Sequence, residues 1–210
     1  MEYDSPFGRF TLLPLHHHAK SPLQAWSAAD DLLLKELASI DPLPKRILLL
    51  NDLHGALGTC LNHLHPHSWN DSYTSKLSLQ QNLYRNQLAF LSDHWRESTQ
   101  ELDGLFDIVL VKIPKTLSLL EYQLTRLRPH IGPHTKVIGA GMVKHLSQSM
   151  VRCFENCIGP ATTSLAQRKA RLVFAEFNPE LKPAVPQPIR YGIPGTTLQM
   201  VNHANVFSQQ

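Results

Sequence analysis

The sequence predicts an α/β fold, a doubly wound and mostly parallel sheet followed by an antiparallel C-terminal hairpin. Two aliphatic runs, ILLL at 47–50 and IVLV at 108–111, have the length and composition of parallel strands that are buried on both faces. Segments with the 3.6-residue apolar period of amphipathic helices alternate with such strand-like runs. Strands and helices that alternate in this way build a parallel sheet with helices on both faces.

The predicted elements follow one another in a regular order. The first helix is expected at 22–39, with Ser21 as N-cap, Pro22 in its first turn and the helix-breaking DPLP at 41–44 after it. Further helices are expected at 56–64, 75–85, 116–127 and 143–157. Strands are expected at 47–51, 67–71, 106–113, 135–141 and 169–177. The proline-rich segment 178–188 precedes a hairpin around Pro194 and Gly195.

Consecutive aliphatic residues in these strands define the expected core. Its members are Ile47, Leu48, Leu49, Leu50, Val109, Leu110, Ile138 and Phe174.

The composition excludes several classes of protein. Hydrophobic residues make up 42% of the 210 residues, and the longest apolar run is far shorter than the ~20 residues that span a membrane. The N-terminal MEYDSPFGRF lacks the basic and apolar regions of a secretion signal. Three cysteines form an odd and sparse set, which indicates a reducing compartment. We therefore expect a cytoplasmic protein without a membrane segment.

The charges are distributed unevenly along the chain. Residues 112–171 contain ten Lys/Arg and two acids, a net +8, whereas residues 1–111 contain eight bases and thirteen acids, a net −5. This asymmetry indicates one basic face that meets a polyanion, and a set of solvated helix faces is the alternative. Histidines at 63, 65 and 67 lack a convincing fourth ligand, so no metal site is expected.

The segment RILLLNDLHGALG at 46–58 has the outline of a strand that enters a nucleotide-binding glycine turn. Leu53 and His54, however, occupy positions where such turns usually carry small residues. Asp71 lies at the end of the next predicted strand, at about the 20-residue offset of a ribose-binding acid.

Several long stretches carry a resemblance, in order: PLQAWSAADDLLL, ILLLNDLHGALG, NDSY, VKIPKTLSLLEYQLTRLR and NHANVFS. They resemble the N-terminal half of the large subunit methyltransferase G family, bacterial 23S ribosomal RNA guanine-N2 methyltransferases of the class I S-adenosylmethionine-dependent superfamily. The resemblance implies a Rossmann-like methyltransferase fold and two such domains in tandem. In that family the C-terminal domain binds the cofactor and methylates guanine, and the N-terminal domain is a degenerate duplicate linked to RNA recognition and support of its partner.

The resemblance also implies that this chain has lost the catalytic site. The family's working loop, D-x-G-x-G-x-G, is reduced here to Asn51-Asp52-Leu53-His54-Gly55. Asn51, Gly55 and Asp71 are therefore a degenerate remnant, and no cofactor is expected in this chain. The family's Asn-Pro-Pro-Phe/Tyr motif is replaced by Lys112-Ile113-Pro114-Lys115, which lacks both the amide and the stacking aromatic. S-adenosylmethionine is expected in the missing C-terminal domain.

Lysines at the end of a central strand can still contact RNA phosphates, because open α/β sheets bind ligands at that edge. The expected RNA-binding residues are Lys112, Lys115, Arg126, Arg128, Lys144, Arg168, Lys169 and Arg171. The expected partners are 23S ribosomal RNA and the C-terminal methyltransferase domain of the same protein.

The expected division of the chain is a degenerate methyltransferase-like domain at 1–195, then the last strand and the start of the linker at 196–210. A stand-alone S-adenosylmethionine-dependent methyltransferase with a divergent cofactor loop is the main alternative. A purely structural domain without RNA contact is the third possibility.

Overall fold

The structure, a computed structural model, describes residues 1–16 and 23–204. The strands within these residues are β1 (Glu2–Ser5), β2 (Gly8–Thr11), β3 (Ile47–Leu50), β4 (His67–Asn70), β5 (Trp95–Glu97), β6 (Ile108–Lys112), β7 (Lys136–Met142), β8 (Ala161–Thr163), β9 (Ala170–Ala175), β10 (Ile189–Gly192) and β11 (Gln199–Asn202). The helices are α1 (Ala28–Ala38), α2 (Ala56–Cys60), α3 (Tyr73–Arg85), α4 (Leu117–Leu127) and α5 (Gln148–Cys157).

Seven of the strands form one sheet with the order β5-β4-β3-β6-β7-β9-β8. The first five are parallel, and β9 lies antiparallel between β7 and β8. The chain proceeds outward from β3 through β4 to β5, then returns to β6 on the other side of β3. The direction of winding therefore reverses between β3 and β6, and open α/β sheets bind ligands beyond the carboxyl ends of such strands.

The two faces of the sheet carry separate hydrophobic clusters. Ile47 and Leu49 point into a cluster that includes α1, α2 and the β1–β2 hairpin. Leu48 and Leu50 point into a second cluster under α4 and α5. Because helices cover both faces, every side chain of β3 is buried, which explains the continuous aliphatic run in the sequence.

The structure confirms the predicted fold class and the main strands and helices, with differences at the helix starts. Helix α1 begins at Ala28 because Ser27 and Asp30 form a capping box there. The predicted start at 22 was wrong for the described residues 23–27, and Ser21 and Pro22 lie outside them. Helix α5 begins at Gln148, not at 143, since the Ser147 hydroxyl accepts a hydrogen bond from the Met150 N–H.

Several short strands did not stand out in the sequence. These are β1, β2, β5 and β8, each of three or four residues. The antiparallel end of the main sheet is formed by β8 and β9, and the predicted hairpin, β10–β11, is a separate two-stranded sheet. The expected boundary at 195/196 falls in the turn of this hairpin. Phe174 is only partly buried, whereas the other expected core residues are fully buried.

Within the described part of the chain, no helix is both long enough and apolar enough to cross a membrane.

Candidate ligand cleft and basic edge

A cleft of about 510 Å³ lies at the carboxyl ends of β3, β4 and β6, where the winding of the sheet reverses. The segment before α1 covers one side of it, and the segment after β6 forms another. Its lining residues are Gln24, Ala25, Trp26, Ser27, Asp30, Asn51, Leu53, His54, Asp71, Lys112, Ile113, Pro114, Lys115, Thr116 and Leu119. No glycine is among these described lining residues.

An ion pair crosses this cleft. The Lys112 Nζ at the end of β6 lies 2.6 Å from the Asp30 Oδ2 of α1. The Asp30 side chain is fully buried and the Lys112 side chain is 20% exposed. The same Asp30 oxygen accepts hydrogen bonds from the Ser27 backbone N–H and hydroxyl. The ion pair therefore connects α1 to the central strand β6.

A second buried carboxylate, Asp52, lies directly after β3. Its Oδ2 accepts a hydrogen bond from the Gly58 backbone N–H at 2.8 Å and so holds the loop to α2. Burial raises the pKa of Asp52 to about 6, and the negative charge of Asp30 acts in the same direction. The Gly58 N–H and the positive charge of Lys112 oppose this rise. The charges of Asp30 and Lys112 therefore act in opposite directions on the buried Asp52 carboxylate.

The side chain of Asn51 is fixed by a partly buried amide pair. Its Nδ2 donates to the Gln123 Oε1 at 2.8 Å, and the Gln123 Nε2 donates to the Asn51 Oδ1 at 2.9 Å. The Asn51 Nδ2 also reaches the Lys112 carbonyl at 3.2 Å. These bonds join the ends of β3 and β6 to α4, so both polar ends of the Asn51 side chain already have partners within the protein.

The two glycines of the loop, Gly55 and Gly58, allow α2 to pack closely against α3. Gly55 has φ +72°, and a Cβ at this position would lie 2.5 Å from the Leu79 Cα of α3. A Cβ at Gly58 would lie 2.8 Å from the Leu79 Cδ1. Both glycines therefore face α3 and permit close contact between α2 and α3.

The two side chains that replace small residues in the loop, and the remnant acid after β4, lie around the cleft. Leu53 is 54% exposed and lines it. The His54 carbonyl accepts a hydrogen bond from the Asn82 Nδ2, and burial together with the Lys112 charge lowers the pKa of His54. Asp71, which follows β4, also lines the cleft. The structure thus brings Asn51, Asp71 and Lys112 to one cleft, as expected from their strand ends.

The predicted RNA-binding residues fall into two groups, and the first lies at the carboxyl edge of the sheet. Lys115 follows β6, Lys144 follows β7, and Arg168 and Lys169 precede the antiparallel β9. The Val143 N–H donates to the Lys169 carbonyl at 2.8 Å, which joins the last two segments. All four side chains are exposed. The Arg168 guanidinium lies 3.3 Å from Asp31 but is 75% exposed, so this pair is a weak surface contact.

Arg126 and Arg128 lie at the opposite edge, because α4 runs antiparallel to the strands and ends there. The Arg128 guanidinium donates to three backbone carbonyls and lies over the Phe177 ring. The carbonyls belong to Cys157, Ile158 and Asn178. Arg126 pairs with Glu101. Arg171 lies within β9, opposite Gly141, with a buried Nε.

The histidine-rich segment forms ring contacts. His67 stacks on His94 with ring centroids 4.1 Å apart, and burial lowers the pKa of His67 to about 4, with the His94 charge acting in the same direction. No group of three or more potential metal ligands occurs among the residues that the structure describes.

Sequence reasoning missed Asp30, the partner of Lys112. The capping-box pattern Ser27-x-x-Asp30 identifies a helix start, but nothing local to it indicates an ion pair with a residue 82 positions away.

The sheet order and the cleft at its reversal define a Rossmann-like fold of the methyltransferase type. The structure superposes on T. thermophilus 16S rRNA N2 methyltransferase RsmC, solved with AdoMet and guanosine, with a TM-score of 0.58 and 16% identity over 96% of this chain and 51% of that chain. The ribosomal protein L11 methylase of Lactobacillus delbrueckii subsp. bulgaricus matches with a TM-score of 0.57 and 15% identity over 74% of this chain and 82% of that one.

The chain belongs to the RLMG N-terminal domain family, whose pattern matches residues 1–179. Ribosomal RNA large subunit methyltransferase G of Pseudomonas putida (strain W619) is 42% identical over 205 residues, which are 97% of this chain and 55% of that protein. The protein of the same name from Pseudomonas syringae pv. syringae (strain B728a) is 41% identical over 97% of this chain and 55% of its own length. The chain thus spans little more than half the length of these relatives.

Proposed function

We propose that this chain is the non-catalytic N-terminal domain of an S-adenosylmethionine-dependent 23S rRNA guanine-N2 methyltransferase. In this role it helps to bind ribosomal RNA and supports a C-terminal catalytic domain. The observation that carries the proposal is the Lys112–Asp30 ion pair. It lies at the strand end where the catalytic domains of the family that this chain resembles have their Asn-Pro-Pro-Phe/Tyr motif.

The cleft residues do not fit S-adenosylmethionine. Close approach of a cofactor to a loop backbone requires glycines that face the ligand, and Gly55 and Gly58 instead face Leu79. The amide of Asn51 is already paired with Gln123. In this proposal the chain itself transfers no methyl group.

The RNA-binding part of the proposal rests on the exposed cations of the carboxyl edge. We define the basic edge as Lys115, Lys144, Arg168 and Lys169. Lysine and arginine contacts to phosphates release counterions, so the affinity that they supply falls steeply as salt rises. Lys112 and Arg128 are not included, because their charged groups are held by Asp30 and by backbone carbonyls.

Calorimetric titration of S-adenosylmethionine into the 210-residue chain tests the loss of the cofactor site. We expect no binding heat at high protein concentration. Micromolar binding would refute the non-catalytic assignment and favour a stand-alone methyltransferase with a divergent loop.

Salt-dependent binding to 23S rRNA fragments tests the basic edge. The variant Lys115→Gln/Lys144→Gln removes two charges there, and the control Lys45→Gln/Lys136→Gln removes two exposed charges from the opposite edge of the sheet. We expect the first variant to lower the slope of log affinity against log salt by roughly 1 per lysine. Equal effects of both variants would refute a localised RNA contact.

A further inference from the structure

The C-terminal hairpin β10–β11 resembles the N-terminal hairpin β1–β2 in its construction. Each is a two-stranded antiparallel sheet of four paired positions that lies apart from the main sheet. Tyr3 pairs with Phe10 in the first hairpin, and Tyr191 pairs with Met200 in the second. Each hairpin contains a proline in its connection, Pro6 or Pro194.

The first hairpin packs on the body that follows it in sequence. The Tyr3 ring lies 4.7 Å from the Trp26 ring, and its hydroxyl donates to Asp31 on α1. Leu12, just after β2, is fully buried in the core under α1 and α2. The Thr11 backbone exchanges two hydrogen bonds with the Asn86 amide. Hairpin β1–β2 is therefore an integral part of the domain that begins after it.

Among the described residues, the second hairpin is anchored on the preceding body near its base, where Asn202 is buried beside α4. Its apolar side chains are exposed, with Ile189 61%, Leu198 63% and Met200 42% accessible. Strands β10 and β11 pack chiefly against each other. Near its base, the Ser118 hydroxyl donates to the Ala204 carbonyl, but a groove of about 310 Å³ lies between that region and α4.

Two further observations separate this hairpin from the N-terminal domain. The family match ends at residue 179, before β10 begins at Ile189. The intervening segment, 178–188, contains four prolines and no helix or strand, which is the composition of a semi-rigid spacer. The relatives nevertheless match 97% of this chain, and these matched residues are only 55% of their length.

We infer that β10–β11 is the first element of the following domain, and that its exposed apolar face, Ile189, Leu198 and Met200, packs on that domain as β1–β2 packs on α1. The occupant is the C-terminal half that the relatives contain, so the inference rests on the proposed two-domain function. An isolated two-stranded hairpin is marginal in water, so this contact stabilises it. Residues 178–188 then form the interdomain linker, in place of the expected boundary at 195/196.

Amide hydrogen exchange of two proteins tests the inference. In the 210-residue chain, we expect β10–β11 to exchange within about tenfold of an unfolded peptide, and β1–β2 to be at least about 100-fold slower. In the full-length Pseudomonas putida relative, the segment aligned with β10–β11 is expected to be as protected as β1–β2. The first hairpin serves as the matched control within each molecule.

Protection of β10–β11 in the 210-residue chain would overturn the inference, because the hairpin would then pack on α4 or on a second copy of the chain. Sedimentation would distinguish these two cases, since only the second forms a dimer. Rapid exchange of the hairpin in the full-length relative would overturn it as well. Neither result changes the cofactor titration or the salt slope, so failure of this inference is distinguishable from failure of the proposed function.

Discussion

The ion pair between Lys112 and Asp30 provides the sharpest test of how the cleft is built. Replacement of Lys112 by methionine removes the charged end of the side chain and keeps an unbranched side chain that is one atom shorter. The Asp30 carboxylate, which is fully buried, then loses the ammonium group that lies 2.6 Å from its Oδ2. It keeps the hydrogen bonds from Ser27, which a neutral neighbour does not disturb.

The expected loss of stability follows from the burial of this carboxylate. Removal of one partner of a buried ion pair typically costs 3–5 kcal/mol, because the remaining charge is uncompensated. Lys112 is 20% exposed and Asp30 retains the Ser27 contacts, so we expect the lower end of that range, about 3 kcal/mol. The second buried carboxylate, Asp52, adds to the cost, since Lys112 also lowers its pKa.

Equilibrium unfolding in urea at pH 7 measures the effect of Lys112→Met. A double-mutant cycle with Asp30→Asn isolates the pair, and we expect a coupling free energy of about 2 kcal/mol. The control is Lys115→Met, an exposed lysine three residues further along, which we expect to change stability by less than about 0.5 kcal/mol. If Lys112→Met also changed stability by less than about 0.5 kcal/mol, the ion pair would not stabilise the fold. Lys112 would then be free to contact RNA.

Three further predictions concern the loop after β3. The folded-state pKa of Asp52 is raised to about 6 from 3.8, so the native state binds this proton more tightly and stability falls as pH rises between about 4 and 6. The variant Asp52→Asn lacks this titrating group. We expect its free energy of unfolding in urea, taken relative to that of the parent, to be higher at pH 7 than at pH 4 by up to about 3 kcal/mol. Gly55→Ala is expected to cost more than about 2 kcal/mol in the same assay, because φ is +72° and the added Cβ meets Leu79; a loss below about 1 kcal/mol would contradict the packing role. Gln123→Leu removes both hydrogen bonds of the amide pair and leaves the Asn51 Nδ2 its bond to the Lys112 carbonyl, so we expect a cost of about 1–3 kcal/mol; an unchanged midpoint would exclude a stabilising amide pair.

The sequence predicted the sheet well because burial on both faces leaves a strong local signal. The aliphatic runs of β3 and β6 identify the two strands between which the winding reverses. Three-residue strands such as β5 and β8 leave too short a pattern to recognise. The start of α1 was missed because apolar residues at 23 and 26 continue the helical period, although the chain before Ala28 is not helical.

The site was less predictable because its contacts join distant segments. Lys112 ends its strand at the expected edge, but its partner lies 82 residues earlier in the chain. Arg126 and Arg128 belong to the basic half of the sequence, yet α4 carries them back across the sheet to the opposite edge. Net charge along the chain therefore predicts a basic face only where the topology brings the charged residues to the same edge.

If the chain is non-catalytic as proposed, the contacts in the cleft explain how the scaffold is stabilised without a cofactor. Polar groups at a sheet edge that do not receive partners from a cofactor need partners within the protein, since burying them unpaired is costly. Asn51 obtains them from Gln123, and Lys112 obtains one from Asp30. Each pair joins β3 or β6 to a helix on one face of the sheet, α4 or α1 respectively. The same groups that prevent cofactor binding in our proposal therefore hold the layers of the fold together, so we expect changes in the cleft to be measured first as losses of stability.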